Sequence, residues 1–553
     1  TMDDGYYDLG THSFPVTTDA PGAQVWFDRG LAWCYGFNHE EAIVCFENAV
    51  AADPACAMAH WGIALAVGPN YNKPWADFDP VDLEASLERA RRESATAASF
   101  AAGASPVEQA LCRALLARYP AGDGERDYMG WHDAYADAMR QVHADHGGNL
   151  DVCALFVEAM MNRTPWALWD LDTGAIAEGA DTEEIMRVIE TSLRDLPGAW
   201  EHAGLLHMHV HVMEMSPFPE RALKSGDALY DAMPDSGHLR HMPTHIDVLC
   251  GNYQAVVARN HAAVVADRKY VERSGVFNFY TGYRAHDFHF KAYGAMFLGQ
   301  YKPAIEAAEE LIATAPTALL EMGSPPMADW LEGYIPIKQH VLIRFGKWQE
   351  ILDQPLPENR ELYCVTTAMI RYTRTVAFAA TNRVAEAEAE KALFYEAVAR
   401  VPESRKLFNN TCRDILAVAE QMLLGELEYR KGNFDAAFAH LRRSVEMDDH
   451  LPYDEPWGWM QPTRHALGAL LLEQGRLEEA EAVYRADLGL DGTLRRPCQH
   501  PDNVWSLHGL HECLKRRGEK LEIVWVKQRL DMAAARADVP IRASCYCRMQ
   551  HAA

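Results

Sequence analysis

The sequence predicts an all-α protein in which antiparallel helix pairs stack into a right-handed superhelix. Apolar residues recur at spacings of three and four, as on a helix with one buried face, and the alternation typical of strands is almost absent. Glycine, or asparagine with proline, interrupts this pattern about every 15 to 20 residues. At 553 residues the chain is longer than one hydrophobic core usually supports, which also favours a repeat stack.

The clearest repeat lies near the N-terminus, where several residues match the spacing of a helix-turn-helix repeat of about 34 residues. Small residues in this repeat lie where two helix backbones approach, and large residues fill the space between helix pairs. The matching residues are Trp26, Gly30, Trp33, Ala42, Phe46, Ala49 and Pro54. This spacing predicts a TPR-like (tetratricopeptide-repeat) α-solenoid.

Weaker copies of the pattern follow at 292–316, 425–437 and 467–484, and a final pair is predicted from Trp505, Gly509 and Gly518. No low-complexity linker separates two domains. We therefore predict an irregular N-terminal segment at 1–22, one continuous TPR-like superhelix at 23–535 and a C-terminal tail at 536–553. A histidine-rich block occupies 202–290 within the superhelix.

The chain carries a formal charge of −27, with 79 acidic against 52 basic side chains. Because such a charge repels phosphate backbones and anionic headgroups, we expect neither nucleic acid nor a membrane as partner. No apolar run approaches the length that spans a bilayer, and no secretion signal is visible. A cytoplasmic location with reduced cysteines is predicted, and Cys545 and Cys547 are spaced too tightly for an easy disulfide.

Ten of the 24 histidines fall between positions 202 and 289, which is more than core packing explains. In the stretch EHAGLLHMHVHVMEM, the residues His207, His211 and Glu214 are spaced i, i+4, i+7 and therefore share one face of a helix. Two imidazoles at i and i+4 can bind one metal ion. His209 points to the opposite side and is expected to lie outside the site.

Two further segments bring more histidines. Segment 231–243 is expected to be irregular, with Pro243 opening a helix, so that His238 and His241 precede this helix and His245 lies in its first turn. On a later helix two histidines follow at i, i+3, close to Tyr283. Since consecutive elements of a solenoid are neighbours, we expect these groups to meet in a metal site. Its predicted ligands are His207, His211, His238, His241, His245, His286 and His289.

The central block HMHVHVMEM, GHLRHMPTH and HDFHF resembles a family of microbial tetratricopeptide-repeat proteins with the patterns His-x-x-x-His-x-x-Glu, Gly-His-x-x-His-Met-Pro-Ser-His and His-Asn-x-His-Phe. Thr244 replaces the serine and Asp287 the asparagine of these patterns. The resemblance touches most of the chain and implies the repeat fold, but no settled reaction. Beyond the histidines and Glu214 it singles out, as pocket residues, His39, Glu40, Asn70 and Asn72.

Three functions remain open from the sequence. An imidazole-rich site with thioethers nearby favours copper, then iron, then zinc, and hence an oxidoreductase that acts on a small organic substrate, with Glu214 and Tyr283 as catalytic residues. A zinc-dependent hydrolase with Glu214 or Glu40 as base is the second hypothesis. The third is a non-enzymatic TPR scaffold that binds a protein partner in its groove. No phosphate-binding loop and no nucleophile elbow is present.

Overall fold

The computed structural model describes residues 4–548, which are mostly helical. Within them the chain forms two compact units, the first from residues 4–246 and 262–280, the second from 247–261 and 281–548. Helices pack on their neighbours in the chain as pairs, so the predicted all-α, TPR-like class is confirmed. The continuity of one superhelix over 23–535 stays a prediction.

The first unit begins with eleven helices, and the boundary between the units falls inside the next two. The eleven are α1 (Pro21–Tyr35), α2 (His39–Ala52), α3 (Ala57–Val67), α4 (Pro80–Phe100), α5 (Pro106–Arg118), α6 (Tyr128–His146), α7 (Leu150–Met161), α8 (Thr182–Asp195), α9 (Ala203–Glu214), α10 (Leu223–Tyr230) and α11 (Gly237–His241). The two boundary helices are α12 (Thr244–Leu249) and α13 (Tyr253–Ser274). Short 3₁₀ helices lie at Trp75–Asp77, Ala101–Gly103, Ala199–Glu201 and Pro219–Ala222.

The second unit contains the remaining helices and one small hairpin. The helices are α14 (Thr281–Phe297), α15 (Tyr301–Thr314), α16 (Thr317–Leu320), α17 (Met327–Leu331), α18 (Ile337–Arg344), α19 (Trp348–Asp353), α20 (Cys364–Ala380), α21 (Val384–Ala399), α22 (Cys412–Arg430), α23 (Phe434–Asp449), α24 (Thr463–Glu473), α25 (Leu477–Asp487), α26 (Val504–Arg516) and α27 (Glu522–Ala534). The antiparallel strands are β1 (Lys406–Leu407) and β2 (Asn410–Thr411). Its 3₁₀ helices are Glu332–Tyr334 and Arg496–Cys498.

Glycines allow the close packing of successive helices, as the repeat spacing predicts. In the first unit the Phe46 ring of α2 packs against Gly30 of α1 and Gly62 of α3, and a Cβ at either glycine would lie 2.5 Å from that ring. In the second unit Tyr484 of α25 packs in the same way between Gly468 and Gly509. One large side chain therefore joins three consecutive helices, which is how a solenoid buries a core that no single pair could bury.

Two local expectations are wrong. Cys545 and Cys547 form a disulfide, because the turn between them brings their Cα atoms to 5.2 Å, within the range that a disulfide bridges. The segment before Pro243 is not irregular throughout, since His238 and His241 lie in the short helix α11. Ser236 caps this helix by accepting a hydrogen bond from the backbone N–H of Leu239.

Among the described residues, no helix combines the length and apolar character that a membrane crossing requires.

His132, a single buried histidine on α6, makes the free energy of unfolding depend on pH. Burial, followed by the charge of Arg118, lowers the pKa of His132 to about 4, against about 6.5 in the unfolded chain. Below pH 6.5 the unfolded state therefore binds a proton that the folded state does not. Between pH 7 and pH 5 we expect the free energy of unfolding to fall by about 2 kcal/mol more in the natural protein than in His132→Gln. Denaturant unfolding at both pH values tests this, and equal losses would contradict it.

Candidate metal centre

Helix α9 presents the first two histidines of the site. All of its residues are buried, and His207 and His211, one turn apart, are 0% and 1% exposed. Their rings are 4.8 Å apart between centroids. A histidine on the same helix, His209, instead makes a hydrogen bond of 2.6 Å through Nδ1 to the hydroxyl of Ser225. The i, i+4 spacing thus places His207 and His211 side by side.

The Nδ1 atoms of these two imidazoles are held by groups that only accept hydrogen bonds. His207 Nδ1 lies 2.6 Å from the carbonyl oxygen of Tyr35, and His211 Nδ1 lies 2.6 Å from Oε2 of Glu214. Each Nδ1 must therefore carry the proton, which leaves the lone pair on Nε2. Neither Nε2 has a hydrogen-bond partner within residues 4–548. This is the tautomer that a histidine adopts when it binds a metal through Nε2.

A third imidazole joins them from α11. One ring nitrogen each of His207, His211 and His238 lie within 4.8 Å of one another. Ligands on one first-row metal, with bonds of about 2 Å, lie about 3 to 3.5 Å apart, so a small movement would bring all three nitrogens onto one ion. The hydroxyl of Tyr280 fixes the start of α11, because it accepts a hydrogen bond from the backbone N–H of His238 and donates one to Asp267.

Glu214 connects this triad to a second pair of imidazoles. Its Oε1 accepts a hydrogen bond of 2.9 Å from His245 Nδ1, and the Nε2 atoms of His245 and His241 are 2.8 Å apart. The two atoms share a hydrogen bond, and an ion bound by both would displace its proton and separate them to about 3 to 3.5 Å. The structure thus brings His207, His211 and His238 together on one side of Glu214, and His241 and His245 on the other.

Burial and the neighbouring groups set the charge of the site. Burial alone would raise the pKa of Glu214, but His245 and His211 outweigh this effect and lower its pKa to about 2. Burial, followed by the proximity of His211, holds the pKa of His207 well below its usual value, and burial also lowers the pKa of His211. The carboxylate is therefore charged at neutral pH, whereas His207 and His211 are neutral, as ligands must be.

A second carboxylate, that of Asp151, positions His207 indirectly through Tyr35. The Tyr35 hydroxyl donates a hydrogen bond of 2.6 Å to Asp151, which also contacts Nε2 of His202 at 3.0 Å and Nε2 of His12 at 2.9 Å. His202 Nδ1 accepts the backbone N–H of Leu205, so its proton lies on Nε2, and this atom donates to the carboxylate rather than binding a metal. We therefore read this group as an anchor for Tyr35, whose carbonyl positions His207.

Three aromatic side chains that the sequence analysis did not single out form a wall beside the triad. The Phe37 ring is centred 4.3 Å from His207, 5.7 Å from His211 and 5.6 Å from His238. Tyr71 and Trp166 lie 4.9 and 5.4 Å from His211. In the sequence Tyr71 lies between Asn70 and Asn72, which the family resemblance named. This position could have indicated Tyr71 as a residue of the site. The wall makes one side of the triad apolar and aromatic.

Phe37 has a left-handed backbone conformation, which glycine adopts more readily than phenylalanine. Its φ is +58°, and the N–H groups of Phe37 and Asn38 bond to the carbonyls of Cys34 and Trp33, as in a helix-ending Schellman turn. Two other helices end with the same pair of backbone hydrogen bonds, and there glycine takes the position of Phe37. These glycines are Gly432 after α22 and Gly475 after α24. A bulky residue in the left-handed region costs about 1 to 2 kcal/mol, and such strain is concentrated at functional sites.

This strain is measurable by comparing two truncations. Both Phe37→Ala and Phe37→Gly remove the ring, but only glycine also relieves the left-handed backbone. We therefore expect the glycine variant to be more stable than the alanine variant by about 1 kcal/mol, the reverse of their order inside a helix. Denaturant unfolding of the metal-free proteins provides the measurement. An alanine variant as stable as the glycine variant would show that the turn is not strained.

The four pocket residues implied by the resemblance form a second polar group near α2. Asn70 Nδ2 lies 3.4 Å from His39 Nδ1, and Asn70 Oδ1 accepts the backbone N–H of Asn72. Burial, followed by Arg118 and other cations, lowers the pKa of the half-buried His39 to about 3. Glu40 is exposed and accepts the backbone N–H of Phe279 at 2.6 Å. Their membership of the site stays a prediction.

The remaining predicted residues lie on α14 in the second unit. Tyr283 is buried, His286 is half-buried, and His289 is 3% exposed. His289 lines a cavity of that unit together with His340. That these residues contribute to the metal site of the first unit stays a prediction.

The fold and this cluster define a helical-repeat protein with a buried, carboxylate-linked group of imidazoles. No protein-family model matches the chain, and no curated protein matches it. Similar solved structures include Naa15/Naa10 bound to HypK-THB (12% identity, TM-score 0.21, covering 92% of this chain and 70% of that chain). Others are yeast Tom70 (10%, 0.27, 92% and 98%) and the APC/C hetero-tetramer Cut9-Hcn1 (11%, 0.23, 92% and 96%). At these scores the likeness adds nothing to the fold described above.

Proposed function

We propose that the protein is a metal-dependent oxidoreductase whose first metal position is the triad of His207, His211 and His238. The observation that carries this proposal is the pair of buried Nε2 atoms without hydrogen-bond partners, on imidazoles whose Nδ1 protons are fixed by Tyr35 and Glu214. His209 Nε2 also has no hydrogen-bond partner among the described residues. The ring nitrogens of His207, His211 and His238, by contrast, come within 4.8 Å of one another. These residues therefore fit a transition metal.

Copper is our first choice of metal, iron the second and zinc the third. The available ligands are imidazole nitrogens, which suit all three ions, and the order keeps the preference for copper that the methionine-rich sequence of α9 indicates. A copper or iron ion held there would supply one-electron chemistry toward dioxygen. His241 and His245, with Nε2 atoms 2.8 Å apart, would contribute to a second position, so we expect one or two ions per chain.

The part played by Glu214 argues for this reading over a zinc hydrolase. A hydrolase that used Glu214 as base would need this carboxylate beside metal-bound water, but both of its oxygens accept hydrogen bonds from imidazole Nδ1 atoms. It therefore faces the protonated side of His211 and His245, away from their lone pairs. The other candidate base, Glu40, accepts the backbone N–H of Phe279. We propose that Glu214 is a positioning residue, and the catalytic role of Tyr283 stays a prediction.

The substrate we propose is a small organic molecule, as the sequence predicts. The second candidate function is a non-enzymatic scaffold that binds a protein in a TPR groove, and the repeat fold itself favours it. The resemblance to the microbial TPR family supports the fold in both cases. We also propose a cytoplasmic location, which the ten cysteines outside the Cys545–Cys547 disulfide support.

Elemental analysis of protein purified without added metal tests the proposal. We expect about one or two ions of copper, iron or zinc per chain, or tight uptake of one of them after purification. Consumption of dioxygen in the presence of a reductant then separates an oxidoreductase from a metal-binding scaffold. A content below about a tenth of an ion per chain, without uptake from dilute metal, would favour the scaffold.

A further inference from the structure

The second unit contains a separate small cavity lined by histidine and sulfur side chains. It lies among α14, α18, α20 and α22, and its free space is the size of a water molecule. Two histidines, two methionines and one cysteine line it together with Tyr334 and apolar residues. We propose that this cavity is a binding site for a single monovalent copper ion, distinct from the triad of the first unit.

The two imidazoles are the first reason. His289 and His340 are 3% and 6% exposed, and the Nδ1 atom of each has no hydrogen-bond partner within the described part of the chain. A buried polar atom without a partner is costly, so a ligand that paired with these nitrogens would stabilise this part of the fold. Burial lowers the pKa of both rings to about 3, and His340 further lowers that of His289. Both rings are therefore neutral and able to bind a metal.

The sulfur atoms select the kind of metal. Met369, Met460 and Cys412 line the same cavity, and each is at most 2% exposed. Thioether and thiol groups are soft ligands and favour monovalent copper over harder divalent ions.

The absence of charge in the lining excludes other ligands. No aspartate, glutamate, lysine or arginine lines the cavity among the described residues. A hard divalent cation such as Mg²⁺ or Ca²⁺ would lack the carboxylates it requires, and an anion would find no positive charge. A soft monovalent ion loses the least hydration free energy on entering such a site. The alternative occupant of the same size is one water molecule that bridges the two imidazoles.

Anaerobic titration of the full-length, metal-free protein with Cu(I), in competition with a chromogenic Cu(I) chelator, tests the proposal. We expect His340→Gln to lose one equivalent of bound copper or at least tenfold in affinity. The volume-conserving Met369→Leu and Met460→Leu changes should weaken binding while the fold is retained. His440, which lies in the same unit and bonds to Gln421, provides a control in His440→Gln. X-ray absorption should show copper–sulfur scattering at about 2.3 Å.

The outcomes separate this site from the proposed function. His207→Gln should remove metal from the triad and leave the Cu(I) of this cavity in place, and His340→Gln should do the reverse. If His340→Gln and the two methionine variants all retain the full copper content, or if X-ray absorption of the loaded His207→Gln protein shows no sulfur ligand, the cavity holds water only and the proposal is overturned.

Discussion

His207→Gln is expected to abolish metal binding at the triad, with at least a hundredfold loss of affinity. Glutamine can still donate a hydrogen bond to the Tyr35 carbonyl, which now accepts from His207 Nδ1 at 2.6 Å. It offers no imidazole nitrogen in the place of Nε2, so two histidines remain where three met. Equilibrium competition with a chelator measures the affinity, and elemental analysis measures the metal content of the purified protein.

A matched control lies two residues away on the same helix. His209 is equally deep in the fold, at 4% exposed, and it also makes one short Nδ1 hydrogen bond, to Ser225. His209→Gln therefore imposes a similar loss of packing but leaves the triad intact. We expect this variant to keep the metal content of the natural protein. Equal loss of metal in both variants would mean that α9 is disturbed as a whole and that the triad is not the binding site.

The repeat fold could be predicted from sequence because its cause is local. Gly30 and Phe46 stand at the spacing of a helix pair, and in the structure they meet as that spacing requires. The His207, His211 and Glu214 face followed from helical periodicity in the same way. These features depend on residues within a few turns of one another, and a single sequence records such relations directly.

The rest of the site depends on contacts between distant segments, which periodicity does not encode. Phe37 lies about 170 positions before His207, and helical periodicity does not connect the two, although Phe37 is close in sequence to His39, which the resemblance names. The Tyr35 carbonyl that fixes His207 is a backbone atom, so no residue type could reveal it. The short helix α11 was missed because Pro243 indicated a boundary, while the cap at Ser236 allowed a helix before it.

Glu214→Gln is expected to lower metal affinity by about 10- to 100-fold, although Glu214 is not placed as a ligand. The carboxylate accepts Nδ1–H hydrogen bonds from His211 at 2.6 Å and His245 at 2.9 Å. An amide has only one accepting oxygen, and its NH₂ group donates. One of the two imidazoles must then accept at Nδ1 and carry its proton on Nε2. That proton occupies the lone pair a metal would need, so one ligand is lost.

The imidazole ¹⁵N chemical shifts of the metal-free protein report directly which nitrogen carries the proton. In the natural protein we expect His211 to be protonated at Nδ1, and in Glu214→Gln we expect either His211 or His245 to have changed tautomer. Glu214→Asp keeps two accepting oxygens on a shorter stem and should retain the tautomers and part of the affinity. If Glu214→Gln changes neither the tautomers nor the affinity, the carboxylate does not position the imidazoles. A loss of affinity without a tautomer change would instead make Glu214 a ligand or a source of charge for the metal.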